Sequence, residues 1–175
     1  REELVLETRI DSLQSSGDFD AALRTARHFL DLWRAESAPA PYKVLEAEAL
    51  VSTLERACEL PEVAKCDLAR AYQLDGEWRM LARNGRFSEA AAILNEQRRL
   101  FASTLDPDHP EVAGCLNNLG IVLLEQGDYD AAEQCQRDAL RIRLNAYGRD
   151  HPTVAASLLN LANLLAATGD YEEAA

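Results

Sequence analysis

Residues 108–113 read DHPEVA, and the closely similar sequence DHPTVA follows at residues 150–155. The two copies are 42 residues apart, and the same offset separates the tripeptide GDY at 127–129 from its repetition at 169–171. One period nearer the N-terminus, residues 85–87 read GRF. Agreement over a fixed offset of this length indicates an internal repeat, which is typical of arrays built by stacking one supersecondary unit.

Each copy predicts two helices joined by a tight turn. Pro110 suits the first helical position, because the N–H that proline lacks would have no partner there. Gly127 can end this helix in the left-handed conformation, and Asp128 can then cap the next helix. Apolar residues follow helical spacing in both halves of the copy, at Val112, Leu116, Leu119 and Leu123 and again at Tyr129, Ala132, Cys135, Ala139, Leu140 and Ile142. Two amphipathic helices joined this closely form an antiparallel hairpin, and hairpins must stack to bury the apolar surface that remains.

The complete copy at 110–151 resembles a tetratricopeptide repeat. The resemblance is carried by NNLG at 117–120, GDYDAAE at 127–133, AL at 139–140 and GRDHP at 148–152. The length of 42 residues and the closing Gly-x-Asp-His-Pro are similar to the variant found in kinesin light chains and in many bacterial signalling proteins. In that family's pattern, Gly120 and Ala162 are the small residues that let paired helices approach closely. Ala132 and Ala174 are their counterparts on the second helices.

The resemblance implies that the whole chain, 1–175, is a single all-α array. The expected fold is an α-solenoid of antiparallel helix hairpins, wound as a right-handed superhelix. GDFDAA at 17–22 repeats the turn chemistry and predicts a first hairpin at 2–35. The remaining predicted segments are an irregular or degenerate helical stretch at 42–84, the second helix of a repeat at 85–109, a complete repeat at 110–151 and a truncated repeat at 152–175.

The middle of the chain leaves two interpretations open. PEVAKC at 61–66 echoes PEVAGC at 110–115, but at an offset of 49 residues and not 42. Either 61–84 is a lengthened or bent first helix with its weak point at Asp75-Gly76, or the segment is a degenerate repeat. Trp78 stands where the family has a small residue, so the packing there must differ.

Composition narrows the classes of function. Ala and Leu dominate the apolar residues and aromatic residues are only 6%, which favours helices over strands. The net charge of −12 argues against nucleic acid as a partner, because phosphate binding needs clustered Lys and Arg. Only 61–105 is nearly neutral, with 7 basic and 6 acidic residues, and this segment could attract an acidic partner. No apolar run approaches the ~18 residues of a membrane span.

No catalytic, cofactor-binding or metal-binding residues are predicted. Asp108-His109 and Asp150-His151 recur at the repeat period, so we interpret them as loop and helix-cap residues rather than as acid–base or metal groups. The cysteines, which fall in apolar helical patterns without metal-ligand spacing and suit a reducing cytosol, are Cys58, Cys66, Cys115 and Cys135. No nucleophile setting or phosphate-binding loop is recognisable, so we expect no enzyme activity.

Binding is the expected function. In such solenoids the first helix of each hairpin lines a concave groove. Projection of the repeat onto the chain gives a predicted groove set, which consists of Arg79, Arg83, Asn117, Ile121, Leu124, Leu159 and Asn163. Amide side chains suit the backbone of an extended peptide, and the two arginines, four residues apart, suit a carboxylate. The plainer alternatives are a structural ladder of Asn118 and Asn160, and arginines that pair with Asp75 or Glu77.

These expectations lead to one main hypothesis and one alternative. The chain is expected to bind a protein or peptide, with an acidic partner as one option, as a regulatory or scaffolding part of a larger bacterial signalling protein of the cytoplasm. Because the last copy stops a few residues into its second helix, the chain is interpreted as a fragment. The alternative is a structural array that self-associates through its C-terminal end and has no small-peptide ligand.

Overall fold

The computed structural model describes residues 2–35 and 40–168, and α-helices make up nearly all of this part of the chain. The helices are α1 (Glu2–Ser16), α2 (Phe19–Ala35), α3 (Pro41–Glu59), α4 (Glu62–Arg83), α5 (Phe87–Thr104), α6 (Pro110–Gln126), α7 (Tyr129–Tyr147) and α8 (Pro152–Thr168). No strand occurs within the described ranges, and the predicted all-α fold is confirmed. The chain divides into two compact units, Arg1–Gln73 and Leu74–Ala175, and α4 contributes to both.

The Gly-Asp turns have the conformation that the sequence predicts. Gly127 ends α6 with a φ of 79°, and the Asp128 side chain accepts a hydrogen bond from a backbone N–H in the first turn of α7. Between α1 and α2, Gly17 has a φ of 81° and Asp18 accepts from the backbone in the same way. Glycine adopts this left-handed conformation without the steric cost that a Cβ adds, so each pair ends one helix and begins the next.

In the first unit, α2 packs against both α1 and α3. The buried residues of α2 are Phe19, Ala22, Ala26, Phe29, Leu30 and Trp33. Arg27 pairs with Glu55 of α3 at 2.8 Å. Further along, Arg34 pairs with Glu48 at 2.6 Å. These exposed ion pairs contribute little, so the apolar face of α2 is what stabilises the unit.

In the second unit, a hydrophobic cluster joins α5 to α6. Its buried members are Ala90, Leu94, Leu119 and Val122. Side chains of α4, including Trp78, pack against this cluster from one side. The core of the unit therefore connects successive hairpins, as expected when one hairpin cannot bury its whole apolar surface.

Helix α4 runs without a break through Asp75 and Gly76. The Asp75 carboxylate accepts a hydrogen bond from Nε1 of Trp78 at 3.1 Å, within the helix. Trp78 is only partly buried and lies against the α5–α6 cluster, where a smaller residue would leave space. The assignment of repeats within 42–84, and the division of 1–175 into repeats, stay predictions.

Gly120 lies at a close approach between α6 and α7. The residue is buried, and a Cβ at this position would lie 2.6 Å from Nε2 of Gln136. The Gln136 side chain donates to the backbone carbonyl of Asn117 at 3.0 Å, which fixes it beside the glycine. The role that the resemblance gives to Gly120 is therefore visible as a direct contact. Ala174, the corresponding small residue on the second helix of the last copy, lies outside the described residues.

Both predicted histidine caps are confirmed. Nδ1 of His109 accepts from the backbone N–H of Glu111 at 3.2 Å at the start of α6. Nδ1 of His151, which is buried, accepts from the backbone N–H of Thr153 at 3.3 Å at the start of α8. The Tyr147 ring stacks on the His151 ring with centroids 4.4 Å apart. The recurrence of these histidines thus follows from the way each repeat begins.

Candidate functional site

The whole predicted groove set lies in the second unit, on α4, α6 and α8. Ile121 is 43% exposed and Leu159 is 61% exposed, so two large apolar side chains of the set reach solvent. The exposed polar members are Arg79, Arg83 and Asn163, and the partly buried members are Asn117 and Leu124. Each helix that the repeat pattern assigns to the groove, namely α4, α6 and α8, therefore carries at least one exposed residue of the set.

A direct contact between asparagines joins α6 to α8. Nδ2 of Asn160 donates to Oδ1 of Asn117 at 3.0 Å. Nδ2 of Asn117 in turn lies 3.4 Å from Oδ1 of Asn118. The hydrogen bond between the two helices is therefore formed by Asn117 and Asn160, and Asn118 contacts Asn117 within α6. The side chain of Asn117 acts here as a structural connection as well as a part of the candidate face.

Arg143 on α7 completes this polar network. Its Nη1 donates to Oδ1 of Asn117 at 3.2 Å and to the hydroxyl of Ser157 on α8. A further, longer contact of 3.4 Å reaches the backbone carbonyl of Thr153. Burial lowers the pKa of the Arg143 guanidinium, which nevertheless stays charged, since the pKa of arginine lies far above neutral pH. One cation thus holds α6, α7 and α8 together.

Sequence reasoning missed Arg143, although a signal for it exists. Ala132, Gln136, Ala139 and Arg143 follow one another at intervals of four, three and four residues, so they share one face of α7. The two alanines on that face are fully buried. Polar side chains on an otherwise buried stripe require partners, and both Gln136 and Arg143 find theirs on Asn117.

The two arginines of α4 differ in their surroundings. Arg79 pairs with Asp75 at 3.1 Å, and its guanidinium lies 5.5 Å from the centre of the Trp78 ring. Arg83 is exposed at the last position of the helix. The anticipated pairing of Arg79 with Asp75 is therefore present, and both arginines are exposed.

Comparison with known families matches the sequence to the tetratricopeptide repeat at residues 79–145 and 116–175, which together make up more than half of the chain. The chain belongs to the tetratricopeptide repeat family. Proteins of this family are generally protein–protein interaction modules, and the fold is typically non-enzymatic. A search among curated proteins finds no match.

Two solved structures illustrate the tetratricopeptide fold of this chain. BtubC (BKLC) from P. vanneervenii superposes with a TM-score of 0.56 at 22% identity, over 97% of this chain and 74% of the other. A protein of Podosopora anserina described as a kinesin light chain with nearly identical TPR-like repeats gives a TM-score of 0.51 at 19% identity. That match covers 97% of this chain and 88% of the other. At these identities the likeness concerns the fold, which is that of kinesin-light-chain-like repeats.

Within 2–35 and 40–168, no three His, Cys, Asp or Glu side chains come together in a way that could hold a metal ion. None of the helices in the same ranges has the length and apolar character needed to cross a membrane.

The cysteines have unequal surroundings, which corrects the expectation that all four lie on apolar helix faces. Cys115 is buried, and burial raises the pKa of its thiol. Burial also raises the pKa of Cys135 and, with a contribution from Asp20, that of Cys58. Cys66 is exposed on α4. Lys65 and Asp67 flank it in sequence, and its side chain lies in solvent.

Thiol labelling should separate these cysteines. We expect Cys66 to react first with an aromatic disulfide reagent at neutral pH, and Cys115 to react only as fast as the protein opens. The thiolate is the reactive form, and a raised pKa lowers its fraction at a given pH while burial blocks access. Rates can be followed by absorbance and assigned by peptide mass spectrometry. A Cys66→Ser variant should lose the fast phase, and a fast phase that survives this change would contradict the assignment.

Proposed function

We propose that this tetratricopeptide repeat protein binds a protein or peptide partner along the face formed by α6, α8 and the end of α4. The observation that carries the proposal is the exposure of Ile121 and Leu159, two large apolar side chains on neighbouring helices. Exposed apolar side chains that cluster on one face mark interaction surfaces. The family is generally one of interaction modules, which supports the same conclusion.

The candidate face combines these apolar side chains with polar ones. Ile121 follows Asn117 by four residues on α6, and Asn163 follows Leu159 by four residues on α8, so each helix carries one apolar and one amide position on the same side. The exposed amide of Asn163 can donate to and accept from the backbone of an extended peptide. The Asn117 amide, held by Arg143 and Asn160, fixes the spacing between the two helices.

The preferred partner is acidic in this proposal. Arg83 is exposed at the end of α4, and Arg79 one turn earlier is half exposed beside Asp75. A partner carboxylate could bind Arg83 directly and compete with Asp75 for Arg79. Within this scheme the chain is a regulatory or scaffolding part of a larger signalling protein in the cytoplasm, a compartment that suits its free cysteines.

Selection from a display library of short random peptides tests the proposal. We expect the selected peptides to contain acidic residues and to lose affinity about tenfold or more for a variant carrying Ile121→Glu and Leu159→Glu, since both changes place charge in the apolar part of the face. Arg83→Glu should weaken the acidic peptides and not their neutral analogues. Affinities can be measured by fluorescence anisotropy.

The matched control places the same charges on the second helices. Ala92 of α5 and Asn145 of α7 are exposed, so Ala92→Glu with Asn145→Glu changes the net charge in the same direction at sites outside the proposed face. This control should bind as the unaltered protein does. Equal loss of binding in both variants would contradict the assignment of the binding face to α6 and α8.

A self-assembling array is the second candidate function. Leu158 and Leu159 are both exposed on α8, by 51% and 61%, and two such neighbours could pack against another copy. In that case the mass measured by light scattering would rise with concentration and return to that of the monomer in the Leu159→Glu variant. The peptide selection would then yield no ligands that depend on Ile121.

A further inference from the structure

A small cavity lies between α1, α2 and α3 in the first unit. Its volume is about 230 Å³. Two aromatic rings of α2 form its apolar lining: Phe29 and Trp33 are almost fully buried and meet edge to face, with centroids 6.2 Å apart. The edge-to-face contact fixes the Trp33 ring, so the cavity has one firm aromatic surface.

Acidic side chains surround this aromatic surface. Glu3 and Glu7 reach the cavity from α1, and Glu46 reaches it from α3. The pKa of the Glu7 carboxyl is raised, first by burial and then by the neighbouring charges of Glu3 and Asp11. The carboxylates therefore lie close enough to repel one another, and an additional cation would relieve that repulsion.

A cation of the chain itself already lines the cavity. Nζ of Lys43 lies 3.9 Å from the centre of the Trp33 ring and 3.0 Å from Oε1 of Glu3. An aromatic face and a carboxylate are the two groups that together favour a cationic side chain. Lys43 thus shows, within the chain itself, the chemistry of the ligand that fits this cavity.

The position of Lys43 indicates that its ammonium can be displaced. The residue lies in the first turn of α3, where the helix dipole disfavours positive charge. Its side chain is 31% exposed, so the ammonium has a path to solvent. Three carboxylates line the cavity against one ammonium, so negative charge remains when Lys43 is in place.

We propose that this cavity binds a lysine or arginine side chain from a basic segment of a partner protein, and that Lys43 covers the Trp33 ring until such a partner binds. The net charge of −12 brings a basic partner towards the chain. This site is in the first unit, and it does not depend on the peptide-binding face proposed for α6 and α8.

The test uses a short peptide of alternating Lys and Gly residues as the probe. In ¹⁵N-resolved spectra of the full chain, we expect the indole N–H resonance of Trp33 to shift on titration. The indole of Trp78, which donates to Asp75 in the other unit, serves as an internal reference and should stay in place. Lys43→Gln should tighten binding of the probe about fivefold, because it removes the ammonium that competes for the Trp33 ring.

Charge-matched variants separate this site from general attraction. Glu3→Gln with Glu7→Gln should weaken the probe about tenfold, whereas Glu59→Gln with Asp67→Asn, an equal change at exposed positions of the same unit, should have little effect. Lys65→Gln removes the same charge as Lys43→Gln and should not tighten binding. Far-UV circular dichroism checks that every variant is folded.

Three results would overturn the proposal. They are a Trp33 resonance that does not move while the probe binds, equal tightening by Lys65→Gln and Lys43→Gln, and absence of binding to the Lys43→Gln variant. None of these results bears on Ile121 or Leu159, so the peptide-binding proposal would stand or fall separately.

Discussion

Replacement of Leu94 by alanine should lower the free energy of unfolding by about 2–5 kcal/mol, the cost of removing a buried leucine and leaving a cavity. Leu94 is fully buried in the cluster that joins α5 to α6, together with Ala90, Leu119 and Val122. Backbone hydrogen bonds hold both helices in shape, so neither can collapse fully into the space. Urea unfolding followed by far-UV circular dichroism measures this loss in the free energy of unfolding.

Leu159→Ala is the matched control for this change. The same side chain is removed, but from a position that is 61% exposed, so we expect a change in stability of no more than about 0.5 kcal/mol. Because repeat arrays can unfold in more than one step, intrinsic fluorescence should be recorded beside circular dichroism. If the two variants lost equal stability, Leu94 could not be at the core between the hairpins.

Gly120→Ala should destabilise the protein by about 1–2 kcal/mol, although alanine is the better helix former. The exchange gains up to about 1 kcal/mol of helix propensity, and overpacking of a tight contact costs about 1–3 kcal/mol. The new methyl group would lie 2.6 Å from Nε2 of Gln136, and Gln136 cannot move away without losing its hydrogen bond to Asn117. Thermal unfolding measures the difference.

Gly114→Ala in the same helix should instead stabilise the protein. A Cβ at Gly114 meets nothing within 4 Å, so the propensity gain of up to about 1 kcal/mol is not offset. A double variant of Gly120→Ala and Gln136→Ala should recover part of the loss, because it removes the atoms that clash. Stabilisation by both glycine replacements would show that α6 and α7 do not approach closely at Gly120.

The helices and their turns could be predicted because local chemistry decides them. Gly127 and Asp128 are suited to a helix end and a helix cap by their own backbone and side-chain preferences, and the structure has them in these roles. The recurrence of His109 and His151 at the repeat period predicts helix caps, and both residues cap helices. These features depend on residues within a few positions of each other.

The polar network and the aromatic cavity could not be predicted in the same way. Asn117 meets Asn160 and Arg143 only because α6, α7 and α8 pack side by side, and no local preference indicates those partners. Cys66 falls within the helical pattern of α4 and is exposed, since its side of the helix is left uncovered. The contact of Lys43 with Trp33 likewise depends on the packing of α3 against α2. Projection of the repeat predicts which positions belong to the groove set, but it does not predict which residues these side chains contact.

The bond between Asn160 and Asn117 bears on how such an array lengthens by gene duplication. Asn160 corresponds to Asn118 in the preceding copy, whereas the acceptor Asn117 is replaced by Leu159 in the later one. A duplicate of 110–151 inserted after residue 151 would carry both amides, so it could bond to the copy on either side of it. A duplicate of the segment that begins at Pro152 would supply a donor and no acceptor. Duplication of the copy at 110–151 therefore preserves the asparagine contact between successive copies, and duplication of the later copy does not.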